Sequence, residues 1–99
     1  MKTEFEEIIV LFNLSQKDGH LYRIKKEVQK QFGFSYTFGS MHSILVELEN
    51  RGLAKSEWTM GKFNRPIKLY KLTQEGKNFF NTKKQELTLL IRTLTNGDY

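Results

Sequence analysis

The chain has 99 residues, of which 38% are hydrophobic, and its formal net charge at pH 7 is +5. Eight phenylalanines and four tyrosines supply apolar material for a modest core, so we expect one folded domain over residues 1–99 rather than a disordered chain. The sequence contains no cysteine, which excludes disulfides, thiolate metal sites and cysteine nucleophiles.

The first predicted helix covers about residues 3–14. Phe5, Ile8, Ile9 and Phe12 follow the i, i+3, i+4, i+7 spacing and would form one apolar face of this helix. Other faces also carry apolar residues, Val10, Leu11 and Leu14, so we expect burial on more than one side. Three glutamates precede the apolar run, whereas a secretory signal carries positive charge there. No segment approaches the roughly 20 apolar residues of a membrane span. We therefore expect a cytoplasmic protein without a membrane partner.

A second helix is predicted over residues 20–32. Gly33 follows it and can end a helix in the left-handed conformation without strain. The inward positions of this helix are apolar: Leu21, Ile24, Val28 and Phe32. Its outward positions are basic: Arg23, Lys25, Lys26 and Lys30. These cations form either a solvated helix face or anchors for phosphate groups, and their spacing favours neither.

The third helix is predicted over residues 38–51. Thr37 would be its N-cap, with the hydroxyl oxygen accepting a hydrogen bond from the backbone N–H of Ser40. Its inward positions are again apolar: Met41, Ile44, Leu45 and Leu48. Gly52 marks the end of this helix.

Two strands, over residues 53–60 and 66–72, are predicted to form a hairpin around the turn 61–65. Pro66 takes the first position of the second strand, where a missing N–H donor is tolerated. Two strands are marginal alone, so the hairpin must pack on the helices.

Positive charge is concentrated in this hairpin and beyond it. Residues 1–60 hold eight basic and eight acidic side chains, whereas residues 61–99 hold eight basic and three acidic ones. Four of these cations lie within residues 61–73 without an acid among them: Lys62, Arg65, Lys68 and Lys71. A localised basic stripe suggests a polyanionic partner, most often nucleic acid, although a solvated strand would carry the same charges.

The last helix is predicted over residues 74–95, with Thr73 as its N-cap. Its apolar positions from Leu87 to Leu94 extend beyond what one small core can cover. An exposed stripe of this kind usually packs against a partner helix.

Four segments of the chain resemble the PadR-type transcriptional regulators, a branch of the winged-helix family. Residues 21–24 (LYRI) are similar to that family's Gly-Tyr-x-Ile, and residues 37–45 parallel its Ser-Pro-Gly-Thr-Leu-Tyr-Pro-x-Leu, with His42-Ser43 replacing Tyr-Pro. Residues 48–53 match its Leu-Glu-x-x-Gly-Leu. The most specific segment, 65–76, matches Arg-Pro-x-Lys-x-Tyr-x-Leu-Thr-x-x-Gly. The chain is also similar to the small winged-helix regulators of archaeal viruses and plasmids.

The resemblance implies a winged helix-turn-helix, which is an α+β, mostly helical fold. Its parts are three helices, a two-stranded wing and a long C-terminal dimerisation helix, here residues 74–95. It also implies a homodimer that represses transcription at a palindromic operator in double-stranded DNA. The interface residues expected on the terminal helix are Phe80, Leu87, Leu90, Ile91 and Leu94.

The expected DNA site joins the helix 38–51, placed in the major groove, to the wing 61–66, placed on the backbone or in the minor groove. A helix fits the major groove and its N-terminal residues reach base edges. The residues expected to contact DNA from that helix are Tyr36, Thr37, Ser40, His42 and Ser43. Those from the wing are Lys62, Asn64, Arg65 and Lys68, and those from the second helix are Arg23, Lys25 and Lys26.

Several of these residues also have a simpler interpretation. Tyr36 and Phe38 could only pack against the core, and His42 could be an ordinary surface residue. Trp58 is expected to pack, either inside the chain or at the dimer interface, and a flat aromatic effector beside it is the less favoured interpretation.

Enzymatic motifs are absent from the sequence: there is no phosphate-binding loop and no paired-histidine metal motif. We therefore expect neither an enzyme nor a cofactor. The alternative function is a winged helix that binds another protein instead of DNA, which Glu47 and Glu49 on the third helix would favour.

Overall fold

The computed structural model describes residues 4–97, which form four α-helices and one two-stranded sheet. In chain order these are α1 Glu4–Gln16, α2 Leu21–Phe32, α3 Phe38–Asn50, β1 Ala54–Met60, β2 Pro66–Leu72 and α4 Gln74–Thr95. The predicted α+β, mostly helical order with a hairpin before the last helix is confirmed. The expected start of the first helix, at residue 3, lies outside the described residues.

The helix ends follow the local signals in the sequence. The Thr37 hydroxyl oxygen accepts a hydrogen bond from the Ser40 N–H at 3.0 Å, and the Thr73 hydroxyl oxygen accepts one from the Gly76 N–H at 2.9 Å. Gly33 ends α2 in the left-handed conformation, with φ of 76°. Each cap satisfies a backbone group that the helix itself leaves unpaired.

The core lies where α1, α2 and α3 meet the inner face of the sheet. Its largest fully buried side chains are Tyr70, Leu11, Ile24, Met41, Ile44, Leu45, Leu48, Val10 and Val28. Helix α1 contacts α2, α3, α4 and β2, which makes it the central element. Val10 and Leu11 are fully buried and Ile9 is nearly so, as expected for a helix buried on more than one side, whereas Phe5 of the predicted apolar face is 57% exposed.

An ion pair holds the end of α3 against α1 and α4. The guanidinium of Arg51 donates to the buried carboxylate of Glu7 at 2.6 Å, and it lies 5.1 Å from the centre of the Phe79 ring. The hydrogen bond to Glu7 raises the pKa of Arg51 above its usual value. Helix α3 is thereby fixed at its C-terminal end, and its N-terminal end points away from this contact.

The two strands form an antiparallel hairpin, with Ala54 opposite Leu72 and Met60 opposite Pro66. The base of the hairpin is attached to the helices by a short bridge. The Gly19 N–H donates to the Tyr70 carbonyl at 3.1 Å, and the Tyr70 N–H donates to the Gly19 carbonyl at 2.8 Å. Because β2 is bonded to the turn between α1 and α2, the wing has a fixed position beside these helices.

Helix α4 begins on the body of the protein and then extends beyond it. Its Phe80 is only 7% exposed and packs near Phe12, with ring centres 6.2 Å apart. The prediction that Phe80 lies in the dimer interface is therefore corrected: the first turns of α4 complete the chain's own core. The exposed apolar surface starts later, and four of its side chains are 52–63% exposed: Leu89, Leu90, Ile91 and Leu94.

Candidate nucleic-acid interface

The N-terminal end of α3 presents small polar side chains to solvent. Thr37, His42 and Ser43 are exposed, and Ser40 is half-buried. The first N–H groups of a helix have no partner within it, and the helix dipole is positive at this end. This end of α3 can therefore donate hydrogen bonds to an anion or to acceptors on base edges.

A groove of about 570 Å³ connects this end of α3 to the wing. Its lining residues come from the start of α2, from α3 and from both strands: His20, Leu21, Tyr22, His42, Trp58, Pro66, Ile67, Lys68 and Tyr70. Two residues predicted from separate segments, His42 and Lys68, thus line the same groove. Arg65 immediately precedes Pro66, which lines the groove, so the cationic wing tip lies next to the wing side of the groove.

The wing tip carries cations that are free to bind a ligand. Lys62, Asn64 and Arg65 are exposed, and a 2.7 Å hydrogen bond from the Gly61 N–H to the Arg65 carbonyl closes the turn. In the part of the chain that the structure describes, neither Lys62 nor Arg65 forms an ion pair. Both charges are therefore available to an external anion.

The basic stripe predicted along the hairpin is divided between two environments. Lys71 forms a 2.7 Å ion pair with Glu57 on the neighbouring strand. Their hydrogen bond raises the pKa of Lys71 and lowers the pKa of Glu57. Lys68 instead lies 5.6 Å from the centre of the Trp58 ring and lines the groove. The free positive charge is thus concentrated toward the wing tip.

Comparison with known proteins assigns this arrangement to a family. Residues 10–82, which are most of the chain, match the model of the transcriptional regulator PadR-like family. The chain belongs to the PadR-like family. This confirms a transcriptional regulator with a winged-helix fold, and not an enzyme.

Solved structures of PadR-like proteins have the same fold. A PadR family transcription regulator from Clostridium difficile is 31% identical, with a TM-score of 0.82 over 90% of this chain and 93% of that chain. A PadR family regulator from Eggerthella lenta is 24% identical, with a TM-score of 0.73 over 91% of this chain and 83% of that chain. Comparison with curated protein sequences gives no match.

Bacillus subtilis PadR has been solved in complex with operator DNA. It is 20% identical to this PadR-like chain, with a TM-score of 0.73. The match covers 80% of this chain but 46% of that one. At this identity the likeness shows a shared fold.

One of the predicted phosphate anchors of this PadR-like chain is used inside the protein. The guanidinium of Arg23 donates to the carbonyl oxygens of Lys17 and Asp18, at 3.1 and 2.9 Å. Two donors of the predicted phosphate anchor Arg23 thus hold the turn before α2. Lys26 is exposed, and the Lys25 ammonium lies 5.0 Å from the centre of the Phe38 ring, beside the start of α3.

Two aromatic side chains of this surface were not predicted as part of the site. Tyr22 is 58% exposed and stacks on Phe38, with ring centres 6.0 Å apart. Trp58 is 67% exposed and lines the groove. The prediction that Trp58 packs inside the chain is wrong, because its strand extends past the edge of the core. The exposure of Tyr22 could have been predicted from the sequence, because it lies two residues before the buried Ile24 and so on the outward side of α2.

The remaining predicted residues separate into packed and exposed groups. Tyr36 is half-buried against the core, and burial, followed by the charge of Glu6, raises the pKa of its hydroxyl. Glu49 accepts a 2.6 Å hydrogen bond from the Ser56 hydroxyl, so this acid is bound to the wing, whereas Glu47 is exposed. Of the two acids that would favour a protein partner, only Glu47 is therefore left exposed on α3.

The geometry of residues 4–97 also bears on metal and membrane sites. No group of three or more histidine, cysteine, aspartate or glutamate side chains there is arranged to hold a metal ion. None of the helices in that range is both long and apolar enough to span a bilayer.

Proposed function

We propose that this PadR-like regulator is a homodimeric repressor that binds double-stranded DNA in a sequence-specific manner. The observation that carries the proposal is the groove in which His42 of α3 and Lys68 of the wing face the same space. A helix end with hydrogen-bonding side chains and a cationic hairpin, side by side, can occupy adjacent grooves of one duplex.

In this proposal the N-terminal end of α3 reads base edges in the major groove. The hydroxyl groups of Thr37, Ser40 and Ser43 and the imidazole of His42 are its hydrogen-bonding groups. Tyr36 lies at the edge of this DNA-reading surface, because its ring packs against the core. Side chains near the N-terminus of such a helix contact bases, while the rest of the helix fills the groove.

The wing and α2 supply contacts to the DNA backbone. Arg65 can bind one phosphate with two parallel hydrogen bonds or enter a narrow minor groove, and Lys62, Asn64 and Lys68 add contacts beside it. Lys25 and Lys26 extend the cationic surface to the start of α2. Such contacts fix the orientation of the protein on DNA without reading its sequence.

Two copies of the chain would join through α4 and α1. Leu87 and Leu90 border a cleft with Phe5 and Ile8 of α1, and Ile91 borders another beside Phe12. Apolar surface of this extent is seldom left exposed by a soluble chain. A twofold dimer would present two α3 helices to half-sites about 34 Å apart, one turn of DNA.

A flat aromatic effector remains part of the proposal. Trp58 and Tyr22 border the groove that would face DNA. A compound stacked on Trp58 would therefore compete with the duplex. We expect such a compound to quench the fluorescence of this single tryptophan and to release bound DNA, and quenching without release would contradict the overlap.

The wing contact is tested by Arg65→Ala. We expect this variant to bind its selected duplex and a random duplex about 10-fold more weakly, because a charged hydrogen bond to phosphate is lost in both. The slope of log affinity against log salt concentration should fall by about one. Gel-shift titrations at several salt concentrations measure both quantities.

Arg92→Ala is the matched control, because it removes the same charge from the exposed later part of α4. It should leave the salt slope within error of the original chain. Equal affinities and slopes for the Arg65 and Arg92 variants would contradict a wing contact. Failure of the original chain to bind any duplex at low salt would instead favour the protein-binding alternative.

A further inference from the structure

Phe63 occupies an unusual place at the tip of the wing. Its side chain is 91% exposed, the highest value among the exposed large hydrophobic residues. Among residues 4–97, no other aromatic ring or cation is paired with its ring. The ring therefore gains little from packing against this part of the chain.

The backbone of this residue is also unfavourable. Phe63 has φ of 60° and ψ of 31°, and Asn64 has φ of 55°. The Arg65 N–H donates to the Lys62 carbonyl at 3.3 Å, which closes a tight turn over residues 62–65. Both central residues of this turn are therefore in the left-handed region. Turns of this kind favour asparagine and glycine, since other side chains clash with the backbone there.

A bulky side chain in a left-handed, solvent-exposed position lowers stability without a compensating contact. Residues held in such conformations are concentrated at binding sites, where a ligand supplies the missing interaction. The neighbours of Phe63 identify the ligand class. Lys62 and Arg65 flank it, neither forms an ion pair within residues 4–97, and no acid lies within residues 61–73. An apolar ring between two cations fits a polyanion that also offers an apolar surface.

Duplex DNA has this combination at its minor groove, where phosphates border the exposed edges of stacked bases. Several minor-groove proteins insert phenylalanine or another apolar wedge between base pairs and partly unstack them. We propose that Phe63 inserts into the minor groove at a base step next to the half-site contacted by α3. This inference rests on the proposed function, since it requires a duplex bound along the wing.

The inferred contact would give the wing a role in sequence selection. Pyrimidine–purine steps such as TA unstack more easily than other steps. Insertion of Phe63 would favour such a step at a fixed distance from the half-site. The flanking DNA would then be selected by its deformability, while Lys62 and Arg65 hold the phosphates on either side.

Phe63→Asn tests this inference without adding backbone strain, because asparagine tolerates the left-handed conformation. We expect it to melt at the same temperature as the original chain or higher. Phe63→Leu is the matched apolar control, which keeps a shorter wedge. The DNA probe is a duplex selected by the original chain from a pool of random 40-base-pair sequences.

We expect Phe63→Asn to bind the selected duplex about 10-fold more weakly than the original chain, with Phe63→Leu between the two. When the selection is repeated with Phe63→Asn, the selected duplexes should again contain the half-site contacted by α3. They should no longer be enriched in the flexible flanking step. With 2-aminopurine at that step, the original chain should raise the fluorescence by unstacking the base, and Phe63→Asn should not.

Equal affinities, identical selected flanks and no 2-aminopurine response would overturn the inference while leaving the proposed function intact. If the original chain selects no duplex at all, the proposed function fails as well. Binding to phosphatidylglycerol vesicles that is lost in Phe63→Asn, with DNA affinity unchanged, would also overturn it and assign the ring to a lipid surface.

Discussion

Replacing Leu87 and Leu90 with lysine should convert the proposed homodimer into a folded monomer. Both side chains lie on the part of α4 beyond the core, where Leu90 is 52% exposed in one chain. A symmetric dimer contains each position twice, so four partly exposed leucines would lose the burial that association provides. At about 1–1.5 kcal/mol for each, association weakens by about 4–6 kcal/mol, or at least about 1,000-fold.

Sedimentation equilibrium measures this change, and far-ultraviolet circular dichroism shows whether the monomer keeps its helices. Asn78→Lys with Gln85→Lys is the matched control. It adds the same charge to α4, but at positions about half a turn away from Leu87. The control should remain dimeric. A double leucine variant that is still dimeric, or one that forms a tetramer, would contradict the proposed interface.

Loss of the dimer should also weaken operator binding. Two linked half-site contacts bind more tightly than one, because the second contact forms within the complex already made by the first. The monomeric variant should therefore retain binding to random duplexes while losing most of its preference for the selected one.

Gly76→Ala should be among the most destabilising single substitutions in the chain. A Cβ atom at this position would lie 2.0 Å from the carbonyl oxygen of Leu53 and 2.7 Å from the Cδ1 atom of Leu72. The Leu53 carbonyl accepts a hydrogen bond from the Thr73 N–H at 3.1 Å, so it cannot move without disturbing the start of α4. Overpacking against backbone should lower the free energy of unfolding by about 3 kcal/mol.

Urea denaturation followed by circular dichroism measures the change. Gly39→Ala is the control, because the nearest atom to its added Cβ, the Thr37 hydroxyl oxygen, is 4.0 Å away. Alanine is a better helix former than glycine, so this control should be neutral or up to about 1 kcal/mol more stable. A Gly76→Ala midpoint equal to that of the original chain would show that α4 does not pack this closely on the base of the wing.

The features predicted correctly from the sequence depend on local chemistry. The N-caps at Thr37 and Thr73 and the helix end at Gly33 need only a few neighbouring residues, and all three are present as predicted. The strands and the position of Pro66 also follow from alternation and turn residues. The family motif then linked these segments into one fold.

The sequence alone could not show the environment of a side chain where tertiary contacts decide it. Arg23 is on the outer side of α2, as its spacing predicts, but the preceding turn brings two carbonyl oxygens to its guanidinium. Phe80 and Leu90 are both apolar positions of α4 in the sequence. Only Phe80 is buried, because it packs near Phe12 of α1. Trp58 follows the alternation of its strand, yet this strand leaves the core before reaching it.

The unusual wing tip was also beyond sequence reasoning. The segment 61–65 reads as a basic turn, and nothing in its composition shows which residues are left-handed. The assignment of φ near +60° to Phe63 depends on how the strands pair, with Met60 opposite Pro66. That register leaves residues 61–65 as the connection, and the hydrogen bond from the Arg65 N–H to the Lys62 carbonyl makes Phe63 and Asn64 the two central residues of a tight turn.

Whether α3 and the wing contact adjacent grooves of one duplex is tested most directly by methylation interference on the selected DNA. Dimethyl sulfate modifies guanine N7 in the major groove and adenine N3 in the minor groove. The expected result is two half-sites, about one helical turn apart, at which methylation of guanine N7 in the major groove blocks binding. Beside each half-site, methylation of an adenine N3 in the minor groove should block binding as well. Binding that is insensitive to methylation in both grooves would contradict the proposed mode of DNA recognition.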